Sequence, residues 1–137
     1  AGECIGEAGH FPEYKNRSVF VMVETVLQAL VHISDRYYFG ISILADVLRG
    51  LRTDKIKKYH LDAVAEYGSM KYLTRREMTA VIGWLIERNY ILQTKGRYPV
   101  LHITNRGLTY KEHLTPRNTK SLLERLVQSG GNRDAVL

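Results

Sequence analysis

Between Arg49 and Arg76 the sequence gathers Arg49, Arg52, Lys55, Lys57, Lys58, Lys71, Arg75 and Arg76 against Asp54, Asp62 and Glu66. Eight basic residues against three acidic ones give a local charge of about +5, in a chain whose formal net charge is +6. The chemistry open to such a cluster is neutralisation of a polyanion, because each cation set against a phosphate releases condensed counterions. Thr53, Asp54 and Lys55 also mark a helix start, where free backbone N–H groups suit a phosphate. The competing reading is a solvated charged face. A second constellation is Lys95, Gly96, Arg97, Tyr98 and Pro99, where a stiff turn carries an aromatic residue between cations. Tyr98 there has little core to join. Stacking on an exposed base would contribute about 1–3 kcal/mol, unless the ring lies back on its own strand.

Other chemistries find no support. His10, His32, His60, His102 and His113 show no metal-ligand spacing with one another or with Cys4. Asp62 and Glu66 lie a helical turn apart, and in the absence of a partner histidine they are expected to balance nearby lysines. No nucleophile and base fall at a useful spacing, and nothing matches the nucleotide-binding pattern G-x-x-x-x-G-K-[ST]. We therefore expect no catalytic residue and no bound metal or nucleotide in this chain.

The 137 residues are enough for one core. With 45% hydrophobic and 25% charged residues, disorder throughout and fibrous repeats are excluded. The positive charge favours nucleic acid as partner, with anionic membrane surfaces second. The longest apolar run, Val19 to Val23, meets Glu24 and is far too short to span a bilayer. No secretory signal is apparent. A single cysteine permits no internal disulfide, which suits a reducing compartment.

These residues must be positioned by regular elements. Residues 1–17 are rich in Gly and Glu without a period and read as a linker. Val19, Met22, Val23, Val26, Leu27, Leu30 and Ile33 recur at helical spacing, and Ser34 and Asp35 end that helix. Gly40 turns the chain, Ser42 is placed to cap a short helix from Ile43 to Arg49, and Gly50 terminates it. A further helical piece starts at Thr53 or Asp54 and carries Ile56, Tyr59, Leu61, Val64 and Tyr67 towards Gly68. Thr74 and Glu77 form a capping box ahead of Met78, Val81, Ile82, Leu85 and Ile86. That helix ends near Asn89. Ile91 and Leu92, then Val100 to Ile103, read as strands of a hairpin turning at Lys95 and Gly96, with Pro99 making the pairing near the tip imperfect. A helix from Leu108 to Leu114, a last helical turn or two around Leu122 to Val127, and a disordered tail from Gly130 complete the reading. Three helices followed by a two-stranded hairpin describe an α+β, mostly helical winged helix, a helix-turn-helix with a β-hairpin wing.

In detail, FGISILADVLRG, then DKI, AEYGSMK, a helix ending WLIERNYI and the hairpin PVLHITNRG closely resemble the RQC domain, the winged-helix module of RecQ-family DNA helicases. The resemblance covers roughly Val19 to Gly107. It implies an RQC-type domain over residues 18–115, preceded at 1–17 by a linker or the remnant of an upstream zinc module and followed at 116–137 by an extension or linker, partly disordered. It implies DNA as partner, at duplex ends, forks and junctions and with little sequence preference, beside an ATP-driven motor in the same parent chain. ATP and Mg would belong to that motor, and zinc to the upstream module. Cys4 would be its last ligand, or else an incidental free thiol; one cysteine cannot hold zinc.

Carried over by match, the resemblance places duplex-backbone contacts at Arg49, Gly50, Lys55 and Lys71. At the hairpin tip it makes Lys95, Arg97 and Tyr98 the candidates that meet the terminal base pair. The charge pattern adds Arg52, Thr53, Lys58, Arg75 and Arg76 to the DNA-binding set. This sequence departs from the family pattern at Leu51, where a small polar residue is common, at Gly68-Ser69-Met70-Lys71 in place of G-x-G-K, and near Met78, where a Trp is frequent. Its wing tip is short. The module is expected to be a monomer without membrane contact, nuclear in a eukaryote or in the nucleoid of a bacterial cytoplasm. Two other functions fit the same elements, a sequence-specific winged-helix transcription regulator and a protein-interaction winged helix.

Overall fold

The computed structural model describes residues 11–130, so Cys4, His10 and the segment after Gly130 lie outside the described residues. The first element is one the sequence pattern conceals. Glu13–Tyr14 (β1) pairs antiparallel with Arg17–Ser18 (β2) across a two-residue turn. Lys15 and Asn16 in that turn have φ of 52° and 65°, the left-handed pair that a tight hairpin of this twist requires. Part of the expected linker is therefore folded, because Tyr14, Lys15 and Arg17 all find tertiary partners.

Helix α1, Val19–Ser34, starts where the Ser18 hydroxyl accepts the Phe20 amide at 3.2 Å. Its buried face, with Val19, Met22, Val23, Val26, Leu27, Leu30 and Ile33, matches the sequence period. Helix α2, Ile41–Arg49, begins two residues before the expected start. Gly40 is its N-cap and supplies no side chain, while the Ser42 hydroxyl, expected to cap the helix, accepts instead from Arg75 Nη2 at 3.1 Å. Gly50 closes the helix in the left-handed conformation at φ 76°, as read from the sequence.

Helix α3 is only Asp54–Lys58, with Thr53 Oγ1 accepting the Ile56 amide at 3.2 Å. It does not continue to Gly68. His60 takes a left-handed φ of 56°, and the chain goes on through a short 3-10 turn at Leu61–Ala63. The apolar residues that looked helical are instead spread over turns. Helix α4, Arg75–Glu87, carries the complete capping box: the Glu77 amide donates to Thr74 Oγ1 at 3.2 Å, and the Thr74 amide donates to Glu77 Oε1 at 2.7 Å.

The wing is formed by Ile91–Gln93 (β3) and Leu101–Ile103 (β4), antiparallel with Ile91 opposite Ile103, Leu92 opposite His102 and Gln93 opposite Leu101. Near the tip the Val100 amide is satisfied by the Thr94 hydroxyl at 2.9 Å. On its other edge β4 is joined by the chain before α2, where the Leu101 amide donates to the Phe39 carbonyl at 2.9 Å. The next helical turn, α5 at Asn105–Leu108, is capped by Thr104 and so starts ahead of the expected Leu108. It passes into a 3-10 turn at Tyr110–Glu112. Gly107 is required where it stands, since a Cβ there would lie 2.3 Å from the Tyr90 carbonyl oxygen.

The last helix, α6, runs Lys120–Ser129 and is longer than the sequence suggested. Leu122 and Leu126 are buried, and the Ser121 hydroxyl accepts from Trp84 Nε1 at 2.8 Å. Trp84 is core and stacks on Tyr90 with ring centres 6.0 Å apart. One continuous apolar core thus joins α1, α2, α4, the inner face of the wing and α6. The whole is a winged helix of the α+β class.

Candidate nucleic-acid interface

The end of α2 and the segment before α4 are fastened together backbone to backbone. The Gly68 amide donates to the Val47 carbonyl at 2.9 Å and the Met70 amide to the Leu48 carbonyl at 2.8 Å. The Tyr67 hydroxyl bridges the carbonyls of Gly50 and Leu51 at 3.0 and 2.9 Å. Gly50 and Gly68, both at positive φ, therefore face each other closely, and the Lys71 stem lies across them: Cβ atoms built there would stand 2.7 and 3.0 Å from Lys71 Cε. Only residues without side chains leave room for this crossing. Lys71 itself remains exposed.

Around this clip the sequence-predicted residues fall into two groups. Arg52, Lys55, Lys57 and Lys58 are exposed on the turn and helix that follow Gly50. Lys58 also rests over the Tyr59 ring at 5.4 Å. Thr53 works as the helix cap, and with only five residues and Asp54 in its first turn, α3 contributes little dipole. The exposed positive charge there is that of the cationic side chains. Arg49 and Arg75 have structural partners as well: Arg49 Nε donates to the Leu73 carbonyl at 3.1 Å, and Arg75 Nη1 pairs with Asp46 at 3.3 Å. Arg76 is exposed beside Thr79 and Ser129. At the wing tip, Lys95 and Arg97 are exposed, Gly96 takes φ 115°, and Tyr98 is 81% exposed. The ring of Tyr98 does not lie back on its strand.

Three arrangements were not foreseen. Arg17 of the N-terminal hairpin lies over the Tyr72 ring at 4.5 Å, next in sequence to Lys71. Glu77 is fully buried and receives hydrogen bonds from the Tyr14 hydroxyl, Lys15 Nζ at 2.9 Å and the Thr74 amide. Burial pushes its carboxyl upward, but these donors outweigh it and hold the pKa below the usual carboxylate range. The same site pushes the Tyr14 hydroxyl well up, through burial first, then its hydrogen bond to Glu77, then the Glu77 charge. Glu66, expected to balance lysines, pairs instead with His32 Nδ1 at 2.8 Å. The only signal for Glu77 was its place in the capping box. Tyr14 and Lys15 lie more than sixty residues away, so spacing could not reveal them.

Tyr37, Tyr38 and Phe39 divide. Tyr37 and Phe39 meet the edge of Tyr59, with ring centres 4.8 and 5.2 Å apart, whereas Tyr38 turns outward onto His102. Among the described residues no group of three or more His, Cys, Asp or Glu is arranged to hold a metal ion, and no helix is long and apolar enough to cross a membrane.

Comparison with known proteins agrees with this geometry. The chain is 26% identical over 84 residues to the ATP-dependent DNA helicase RecQ of Bacillus subtilis (strain 168), an alignment covering 61% of this chain and 14% of that protein. The chain thus spans a small part of the relative's length. The sequence model of the RQC domain matches residues 14–123, from the N-terminal hairpin into α6. With its fastened α2 turn, capped α4 and exposed wing, this chain belongs to the RQC domain family.

Proposed function

We propose that this domain is the DNA-binding accessory module of a RecQ-type helicase, engaging the junction of duplex and single-stranded DNA without reading sequence. The observation that carries this reading is the clip of Gly50, Gly68 and Lys71, which sets an exposed cation on a rigid backbone support beside Arg52, Lys55 and Lys58. These side chains would clamp phosphates along one strand of the duplex, and Tyr98 at the wing tip would cap or separate the terminal base pair. Chemistry would come from a motor in the parent protein that uses ATP and Mg.

Helix α4 favours backbone contact over base reading. Met78, Val81, Ile82, Trp84 and Leu85 are buried, and Glu77 is held by the N-terminal hairpin. Its outer side is partly covered by α6, where Arg125 comes within 3.8 Å of a Cβ built at Gly83. Few side chains are left to reach base edges, and those at its start are arginines suited to phosphates.

The test is binding of the domain to a forked duplex, a blunt duplex and a single strand, each of scrambled sequence and across a salt series. We expect the fork to bind most tightly, a steep salt slope and no dependence on sequence. Weak binding with a flat salt slope on all three would overturn the proposal in favour of a protein-interaction role.

A further inference from the structure

The outer face of the wing is not used by the clamp or by the tip. In the ladder Leu92 stands opposite His102, and both point away from the core that holds Ile91 and Leu101. Tyr38 joins them from the segment before α2, its ring centre 4.3 Å from that of His102 with the planes inclined at 40°. Leu92 is 57% exposed and Tyr38 is 53% exposed. The result is an apolar, largely aromatic platform open to solvent.

The platform is rigid. The Leu101 amide holds the Phe39 carbonyl at 2.9 Å, and Gly40 packs so closely on the tip side of the wing that a Cβ there would lie 2.9 Å from the Pro99 carbonyl oxygen. Its surroundings are cationic. The wing tip carries Lys95 and Arg97, and no acidic residue occurs from Arg88 to Arg106, while Asp35 and Arg36 ahead of Tyr38 offset each other; Arg88 and Arg106 themselves lie over Trp84 and Tyr90. A partner surface for an acidic protein would find cations here but little reason for stacked rings. Exposed rings on a wing whose tip is cationic and whose strands hold no carboxylate fit a strand of unpaired nucleotides, whose bases stack while their phosphates meet the positive field.

We infer that Tyr38, His102 and Leu92 form a second nucleic-acid site, a stacking platform that receives the single strand leaving the wing tip. The inference rests on the fork-binding reading above and extends it from the terminal base pair to the strand beyond. Lys95 lies three residues beyond Leu92, at most roughly 10 Å along the chain. At roughly 3.4 Å per stacked nucleotide, about three nucleotides bridge tip and platform.

The test compares a blunt duplex with the same duplex carrying three-nucleotide overhangs of either polarity, with 2-aminopurine in the overhang. We expect one overhang to tighten binding about tenfold, the scale of one or two stacked bases, and its 2-aminopurine emission to be quenched on binding. Tyr38→Ala removes both effects and leaves blunt-duplex affinity unchanged, whereas Tyr38→Phe keeps both. The inference is overturned if blunt duplex binds with a steep salt slope but neither overhang adds affinity, or if Tyr38→Ala keeps the gain. Sedimentation showing a dimer that Tyr38→Ala dissolves would assign the face to a second copy of the chain and overturn it equally. Loss of binding to every DNA would instead defeat the underlying fork-binding reading.

Discussion

At the scale of residues, the clip and the buried carboxylate make different demands. Gly50 and Gly68 are held at positive φ with the Lys71 stem pressed over them. Gly50→Ala therefore adds backbone strain and a clash with Lys71, and we expect urea unfolding to show a loss of about 1–3 kcal/mol. Lys71→Ala relieves that crowding and leaves the fold intact. It should weaken DNA binding evenly across sequences and lower the salt slope by about one; a loss confined to some sequences would show that Lys71 is not a backbone clamp. Glu77 gives a prediction in pH. Its folded pKa is depressed, so it binds a proton more weakly in the native state than in the unfolded chain. The stability it supplies is fully present above the unfolded carboxylate range, near pH 4.3, and is lost as pH falls through the lower folded value. Glu77→Gln should be less stable than the parent at pH 7 by about 1–3 kcal/mol, with the two converging in acid. Parallel acid-unfolding curves would show that the charge at Glu77 is not what stabilises the fold.

The elements show what spacing can and cannot announce. Helices α1 and α4 were legible because a long apolar stripe repeats many times and Thr74 with Glu77 encodes its own cap. The wing was legible from its change of period and its glycine turn. The N-terminal hairpin was not, since two-residue strands hold no alternation to detect and a Lys-Asn turn lacks the glycine that usually marks one. The early stop of α3 at His60 was equally hidden, because a histidine in the left-handed region carries no signal of its own. Of the candidate site, the basic residues and exposed tip were read from charge and turn chemistry, while the cradle under Lys71 required knowing that Gly50 and Gly68 meet. The hairpin's hidden role can be measured. Removing residues 11–18 leaves the buried Glu77 carboxylate without Tyr14 and Lys15, which should cost about 3–5 kcal/mol; pairing that truncation with Glu77→Leu should recover much of the loss. The wing has its own test. Tyr98→Ala should leave blunt-duplex affinity nearly unchanged and weaken fork binding, and equal losses on both would remove the wedge role.

For the molecule as a whole, charge and shape act together. Arg52, Lys55, Lys58 and Lys71 are the exposed cations proposed to clamp phosphates, and if each neutralises one phosphate, log affinity should fall against log salt with a slope of roughly −3 to −4. A slope near zero would mean that the face is merely solvated. Geometry at the base of α4 has a mechanical consequence. Gly130, at the end of α6, abuts Tyr14 and Glu77, so the two ends of the described residues lie close together. A pull between those two points loads the Tyr14 and Lys15 bonds to Glu77 one after another, as a zipper is opened, while the clip and wing on other elements bear no tension at first. The same closeness means that a short linker could join residue 130 to residue 11 and new ends be opened elsewhere, with little loop-closure entropy to overcome.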